Sequence, residues 1–212
     1  MTDDILALTR LSYVGLEWLP SDNEYGIPML DLAMQATDLP ASWRKWGECC
    51  RKAPAGESKG VHLYTEDYKF SGLWTHDWVS HGGYAVAVEP NYSTGPRMPL
   101  AVVLWGLYRK RHLARRWQRA GIRILVDLNV ETEFAEVALL GVPQGWRVYA
   151  TRAREGHREE LEMDYDLGCE RAGTRDILFV VFGGHWRTAE LCADRGWTHI
   201  PERAEEVANG KG

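Results

Sequence analysis

The chain has 212 residues, with 25 basic and 30 acidic side chains and a formal net charge of −5. This length suits one domain with its own core, and 45% apolar against 26% charged residues excludes a disordered chain. No apolar stretch approaches the roughly 18 residues that a membrane span needs, and Asp3 and Asp4 lie where a secretion signal carries basic residues. The four cysteines show no CxxC spacing, so we expect a cytoplasmic protein with reduced thiols and no membrane association.

The first sixty residues are irregular. They are interrupted by Pro20, Gly26, Pro28, Pro40, Pro54 and Gly56. One helix is expected after Pro40, where Ser42 can cap the segment WRKWGECCRK. Residues 53–60, APAGESKG, have the composition of a linker. We therefore expect residues 1–58 to form an N-terminal arm that packs on the core.

From residue 60 onwards, apolar β-type segments alternate with helical patterns. Strands are expected at 61–64, 84–89, 123–128, 146–151, 177–182 and 197–200, and helices from about 98 to 121, at 131–140, at 156–172 and at 185–195. This alternation predicts an α/β fold with a mainly parallel sheet, either an open doubly wound sheet or a partial β/α barrel. The α/β domain is expected to cover residues 59–203, with a flexible tail at 204–212.

Polar side chains follow several of the predicted strands. Because the carboxyl ends of parallel strands meet at one edge, they predict a candidate pocket there. Its members are Asp67, Asn91, Asp127, Asn129, Arg152 and His185. Such a set can bind a divalent metal and a phosphate or perform acid–base chemistry, but the same residue types also cap helices. No GxGxxG, GxxxxGK[ST], GxSxG or HExxH motif occurs, so no catalytic residue, metal ligand or cofactor is assigned.

Charge is segregated along the chain. Residues 97–123 hold eight bases and no acid, whereas residues 1–42 hold seven acids and one base. The basic helix can contact phosphates, meet the acidic arm or the acidic helix at 156–170, or bind an acidic partner protein. Because the chain as a whole is acidic, we expect direct DNA binding to be weak or absent. The candidate partner-binding residues are Arg109, Arg111, Arg115, Arg116 and Arg119 with Trp18, Trp43 and Trp46.

Several motifs occur in a familiar order. They are YGIPML, GVHLYTEDYKF, EPNYS, MPLAVVLWGLYRKRHLARRWQ, RILVDLNV, LLGVPQGW and VFGG. With these motifs the chain resembles, over about residues 25–200, an uncharacterised family of phage and mobile-element proteins known only as a domain of unknown function. Within it, the chain is most similar to small actinophage proteins that serve as recombination directionality factors of large serine integrases.

The resemblance implies a function by binding. Such a factor binds the serine integrase and, through it, acts on attachment-site DNA, so that the integrase excises the prophage instead of integrating it. The acidic residue that the wider family has in this segment is Asn91 here, and polar positions of its long helix are Gly106 and Lys110. The loss of that carboxylate favours a regulator that has kept an enzyme-like fold.

Two other functions compete with this interpretation. The strand-end residues could form the centre of a metal-dependent nucleic-acid-processing enzyme, with the basic helix guiding phosphates. Alternatively, the chain could be a nucleotide-binding module of the phage early region.

Overall fold

The computed structural model describes residues 18–47, 59–153 and 158–201. Its strands are β1 (Ser42–Lys45), β2 (Lys59–His62), β3 (Val86–Val88), β4 (Arg123–Asp127), β5 (Val148–Arg152), β6 (Leu178–Phe182) and β7 (Thr198–Ile200). Its α-helices are α1 (Asp67–Phe70), α2 (Leu100–Arg119), α3 (Ala135–Ala138), α4 (Arg158–Ala172) and α5 (Trp186–Arg195). Short 3-10 turns cover Leu32–Met34, Ser71–Trp74 and Thr132–Phe134. The predicted tail at 204–212 lies outside the described residues.

The described strands form one parallel sheet in the order β1-β2-β3-β4-β5-β6-β7. The α/β fold with a mainly parallel sheet is therefore confirmed. Strand order follows chain order without the reversal of a doubly wound sheet, so the topology is that of a partial β/α barrel.

Aromatic contacts show how strongly the sheet curls. In a flat sheet β2 and β6 would lie about 19 Å apart, at about 4.8 Å per strand. The rings of His62 and Phe182 are nevertheless only 4.6 Å apart between centroids, and Phe182 also contacts Trp43 of β1 at 5.1 Å. The two halves of the sheet therefore face each other across an apolar interior.

The predicted helix after Pro40 is wrong, because Ser42–Lys45 is the edge strand β1. Ser42 pairs in register with Lys59 and Lys45 pairs with His62. The sequence SWRK has a good helix cap, but pairing with β2 and packing of Trp43 on Gly60 outweigh local propensity. Part of the predicted arm is therefore a strand of the sheet.

The rest of the described N-terminal segment lies at the amino-terminal edge of the sheet. Ala36 donates a backbone hydrogen bond to Ile124 at the start of β4, and Leu30 donates one to Gly141. The Asp31 backbone exchanges two hydrogen bonds with the Gln118 side chain near the end of α2. This segment thus leaves the opposite, carboxyl-terminal edge of the sheet open.

The long helix α2 packs on the sheet through the apolar face that its sequence predicts. Leu107, Leu113 and Trp117 are buried. The helix stops before Gly121, whose φ of +87° is the left-handed conformation that glycine adopts most readily. Two of its buried polar residues, Lys110 and Arg111, form ion pairs at the candidate site.

Candidate functional site

A polar cavity of about 250 Å³ lies at the carboxyl-terminal edge of the sheet. Residues from the ends of β1 to β5 or from the loops after them line it: Lys45, Tyr64, Thr65, Glu66, Lys69, Asn91, Ser93, Thr94, Asn129 and Arg152. Every one of these side chains carries a polar group. Ligand sites in β/α barrels form at this edge, where the loops after successive strands converge. We refer to it below as the edge cavity.

The edge cavity lies against a buried ion pair between Asp127 and Lys110. Asp127 ends β4 and is fully buried, and its Oδ2 lies 2.6 Å from the Lys110 Nζ of α2. The Tyr64 hydroxyl donates to Oδ1 at 2.9 Å, and the Asn91 Nδ2 donates to Oδ2 at 3.1 Å. Burial, followed by the charge and hydrogen bond of Asp127, raises the pKa of Tyr64 well above its usual value. The Asp127 carboxylate is therefore held by protein donors.

A second buried ion pair lies beside the first. Arg111 follows Lys110 on α2, is fully buried, and pairs through Nη1 with Glu89 after β3. Its other nitrogens donate to the carbonyls of Ala138 and Leu140 at 2.7 and 3.0 Å. Glu89 accepts from the Asp127 amide at 3.2 Å, which links the two pairs. We call these four charged residues the buried ionic network.

Four charged side chains line the edge cavity. They are the bases Lys45, Lys69 and Arg152 and the acid Glu66. Glu66 is paired with Lys69 at 2.6 Å, and both side chains are exposed.

His62 of β2 is affected by its burial and by two of these bases. Burial, with smaller contributions from the charges of Lys45 and Arg152, lowers the pKa of His62 to about 3.

A small cavity adjoins the first and shares Asn129 and Arg152 with it. Asp164 of α4 lines it and accepts a 2.6 Å hydrogen bond from the Thr151 hydroxyl of β5. Burial, assisted by the charge of Asp127, raises the pKa of Asp164 to about 8. At neutral pH this carboxyl is mostly protonated, so it adds little negative charge beside Arg152.

The structure brings most of the sequence-predicted pocket together. Asn91, Asn129 and Arg152 line the edge cavity, and Asp127 lies beneath it. Asp67 accepts hydrogen bonds from the Ser93 amide and hydroxyl, so it orders the loop after β3.

His185 does not line either described cavity. It is exposed at the N-cap of α5, because the turn through Gly183 and Gly184 carries the chain away from the sheet edge.

Several predicted partner-binding arginines are tied within the chain. Arg111 is fully buried in the ionic network, so its prediction as a partner-binding residue is wrong. Arg115 approaches Asp31 of the arm at 3.5 Å, and Arg116 approaches Asp77 at 3.7 Å. Arg109 stacks over the Tyr92 ring at 4.0 Å, and Arg119 is exposed. These pairs neutralise much of the predicted basic stripe.

The three predicted tryptophans have different environments. Trp46 is only 8% exposed and donates to the Lys69 carbonyl at 3.0 Å, so its assignment to an exposed surface is wrong. Trp43 packs on Gly60 and Phe182 and is half-buried. Trp18 is 78% exposed at the beginning of the described residues.

An exposed aromatic surface lies instead on the first half of α2. Trp105 is 42% exposed, stacks on Tyr108 at 5.8 Å between centroids, and meets Trp74 edge-on at 5.5 Å. Val102, one turn earlier, is 51% exposed, and Arg109 lies 5.3 Å from the Trp105 ring. We call Trp74, Val102, Trp105 and Tyr108 the aromatic surface. The sequence alone did not distinguish Trp105 from the other apolar residues of this helix.

Sequence reasoning also missed Lys45, Tyr64 and Asp164. Lys45 was not recognised as a strand-end residue because its segment was predicted to be a helix. Tyr64 is the last residue of a predicted strand, which was a usable signal for the cavity. Asp164 lies within a run of acidic residues that is typical of a solvated helix face.

Fold and site together define an α/β protein built as a partial β/α barrel, with a polar cavity at the carboxyl edge of its sheet. Residues 19–172 match the model of a family described as Domain of unknown function (DUF4417), and the chain belongs to this family. It is 28% identical over 164 residues to "Gene 1 protein" of Mycobacterium phage D29, covering 75% of this chain and 58% of that protein.

A second relative is also a mycobacteriophage protein. The chain is 31% identical over 133 residues to "Gene 1 protein" of Mycobacterium phage L5, covering 59% of this chain and 56% of that protein. The chain thus spans less than two thirds of the length of these relatives. No solved structure matches it. Among the described residues, no helix combines the length and apolar character that crossing a bilayer requires.

Proposed function

We propose that this phage protein is a recombination directionality factor, which binds a large serine integrase and switches it from integration to prophage excision. The resemblance in ordered motifs supports this role, as does membership in a family with mycobacteriophage relatives. The factor acts by binding and performs no step of the strand exchange.

The observation that carries the proposal is the state of Asp127. A carboxylate that binds a metal or moves a proton needs lone pairs directed at the reacting groups. The Asp127 oxygens are instead occupied by Lys110, Tyr64 and Asn91 in a fully buried site. Asn91, which by the resemblance described above replaces an acidic residue of the wider family, is one of these donors. A fixed polar network of this kind supports a scaffold for binding.

The aromatic surface is the proposed contact with the integrase. Trp, Tyr and Arg are the side chains that most often dominate protein–protein affinity, and here Trp105, Tyr108 and Arg109 are stacked together. Because the rings already pack on one another, little side-chain entropy is lost on binding.

The proposed switch works through coupling: the factor binds one geometry of the synaptic complex more tightly than the other. A difference of about 3 kcal/mol in affinity for the two complexes changes their ratio by more than about a hundredfold. Attachment-site DNA is engaged through the integrase, since the arginines of α2 are largely paired within this chain.

The test is recombination in vitro with the serine integrase encoded in the same genome. The substrates are paired prophage-junction sites, and the protein is titrated from zero with no other factor. We expect excision only when the protein is present. No excision by an integrase that is active on phage and host sites would overturn the proposal.

A matched pair of variants locates the contact. Trp105→Ala should weaken integrase binding by about 30-fold, the effect of a 2 kcal/mol hot spot. Trp186→Ala removes a comparably exposed ring on α5 and should bind as the wild type does. Equal affinities of the two variants would place the contact elsewhere on the chain.

A further inference from the structure

We propose that the partner docks an acidic segment on the aromatic surface, with a carboxylate bound by Arg109 and an apolar side chain packed on Trp105. This inference rests on the proposed function and deepens it, because it names the chemistry that the integrase presents to this chain. The recognised group is a side-chain carboxylate of a protein rather than a phosphate of DNA.

The guanidinium of Arg109 contacts two aromatic rings. It lies 4.0 Å from the ring centroid of Tyr92 and 5.3 Å from that of Trp105. Tyr92 is buried and packs edge-on against Phe70 at 5.2 Å between centroids, so the core fixes one of the two rings. A guanidinium stacked on rings stays charged and keeps its planar fork of donors in one orientation. Arg109 is therefore preorganised for binding.

Arg109 has no acidic partner among the described residues. Within that part of the chain its guanidinium makes no ion pair, and its buried Nε has no hydrogen-bond partner. Further along α2 the situation differs, because a carboxylate of this chain lies close to each of Arg111, Arg115 and Arg116. A charge-assisted hydrogen bond to a carboxylate is stronger than one between neutral groups. The Arg109 guanidinium is therefore available to an acidic group of a partner.

Asp67 acts on the same rings but does not pair with Arg109. Burial raises the pKa of Tyr92 to about 12, while the charge of Arg109 lowers this pKa and the charge of Asp67 raises it. The Asp67 oxygens accept hydrogen bonds of 2.8–3.2 Å from the amide and hydroxyl of Ser93. The Asp67 carboxylate is thus engaged with its neighbouring loop.

The apolar part of the surface lies one to two turns before Arg109 on α2. Val102, Trp105 and Arg109 have the spacing i, i+3 and i+7, which places them on one face of the helix. Val102 and Trp105 are exposed, and the Trp105 ring is supported by Tyr108 and Trp74. Binding hot spots typically combine such apolar anchors with arginine. The matching segment of the partner therefore carries an apolar side chain close to its carboxylate.

A nucleic acid fits this surface less well than an acidic protein segment. Proteins that bind nucleic-acid backbones use several bases that follow the phosphates. The two bases after Arg109 are turned inwards, since Lys110 is buried with Asp127 and Arg111 with Glu89. The helix therefore does not offer a continuous track of bases beside the aromatic surface.

The experiment measures the affinity of the whole protein for the purified serine integrase, without DNA, at low and at raised ionic strength. Arg109→Gln should lower the affinity by about tenfold or more, as expected for loss of a charged hydrogen bond. The wild-type affinity should fall as salt rises, and that of Arg109→Gln should fall less steeply, because the ion pair is gone. Equal salt dependence of the two proteins would contradict a bound carboxylate.

A matched control comes from α5, where the exposed Arg187 lies 5.2 Å from the exposed ring of Trp186. Arg187→Gln removes a similar arginine–tryptophan contact and should bind as the wild type does. Urea denaturation identifies any variant that fails to fold. Arg109→Lys then supplies a second test, because it keeps the charge and should lose less affinity than Arg109→Gln.

The outcomes separate this inference from the proposed function. No integrase binding by the wild type would overturn both. Integrase binding with equal affinities for Arg109→Gln and Arg187→Gln would overturn only the inference about Arg109. Binding of attachment-site DNA by this protein alone, lost in Arg109→Gln, would overturn the carboxylate assignment and indicate a phosphate contact.

Discussion

Two sets of positive charges lie within a short distance of each other at the carboxyl edge of the sheet, and their environments are opposite. Lys110 and Arg111 are buried and paired one-to-one with Asp127 and Glu89. Lys45, Lys69 and Arg152 line an open cavity with a single carboxylate among them. The first set neutralises buried carboxylates, and the second lines a cavity that is open to solvent. Neighbouring basic residues therefore differ in how strongly the stability of the core depends on them.

The largest expected effect comes from breaking the buried ionic network at Arg111. Arg111→Met leaves the Glu89 carboxylate buried without its partner, and the carbonyls of Ala138 and Leu140 lose their donors. We expect a loss of about 3–5 kcal/mol in the free energy of unfolding, measured with urea. Adding Glu89→Gln removes the stranded charge and should restore part of the loss. A single variant as stable as the wild type would show that the pair is not needed.

A smaller loss is expected at Lys110. Lys110→Met leaves Asp127 without its cation, but Tyr64 and Asn91 continue to donate to the carboxylate. We expect about 3 kcal/mol, at the lower end of the range for a broken buried pair. The double variant with Asp127→Asn should be more stable than Lys110→Met alone. If it is less stable, the stranded charge is not the cause of the loss.

Asp164 should make the free energy of unfolding depend on pH. Its pKa is about 8 in the folded protein against an ordinary 3.8, so the unfolded chain releases this proton first as pH rises. Asp164 therefore costs stability progressively between about pH 4 and pH 8. Asp164→Asn should be increasingly more stable than the wild type across that window, with a constant difference above it. Thermal melts at intervals of half a pH unit measure the effect, and a difference independent of pH would contradict it.

The smallest stability effect is expected in the cavity lining. Lys69→Gln breaks the pair with Glu66, in which both side chains are exposed, so the free energy of unfolding should change by less than about 1 kcal/mol. Urea denaturation of Lys69→Gln beside Lys110→Met measures the contrast directly. A loss as large as that of Lys110→Met would place Lys69 in the structural set.

The sequence predicts the repeating architecture well because each βα unit is locally encoded. The run ILFVVF predicts a strand buried on both faces, and four of the five residues of β6 are buried. The apolar spacing of α2 and Gly121 beyond its end predict that helix closely. Strand order, and hence a partial barrel rather than a doubly wound sheet, is a tertiary property that periodicity does not contain.

The site was predicted only in part, for reasons that can be named. Residues after predicted strands, such as Asn91 and Arg152, were found because parallel strands share an edge. Lys45 was lost with the misassigned β1. Arg111 looked like part of a surface stripe because its partner, Glu89, belongs to another element, and no helical spacing reveals such a pair.

The order of the strands has a consequence for how the chain is made. Each strand pairs with the one that precedes it, so a chain leaving the ribosome presents every new strand to an edge already formed. Neighbours in sequence meet with short loop closures, which favours rapid assembly. All the groups that line the edge cavity lie between residues 45 and 152. The residues that line the cavity have therefore all been synthesised before either of the last two strands.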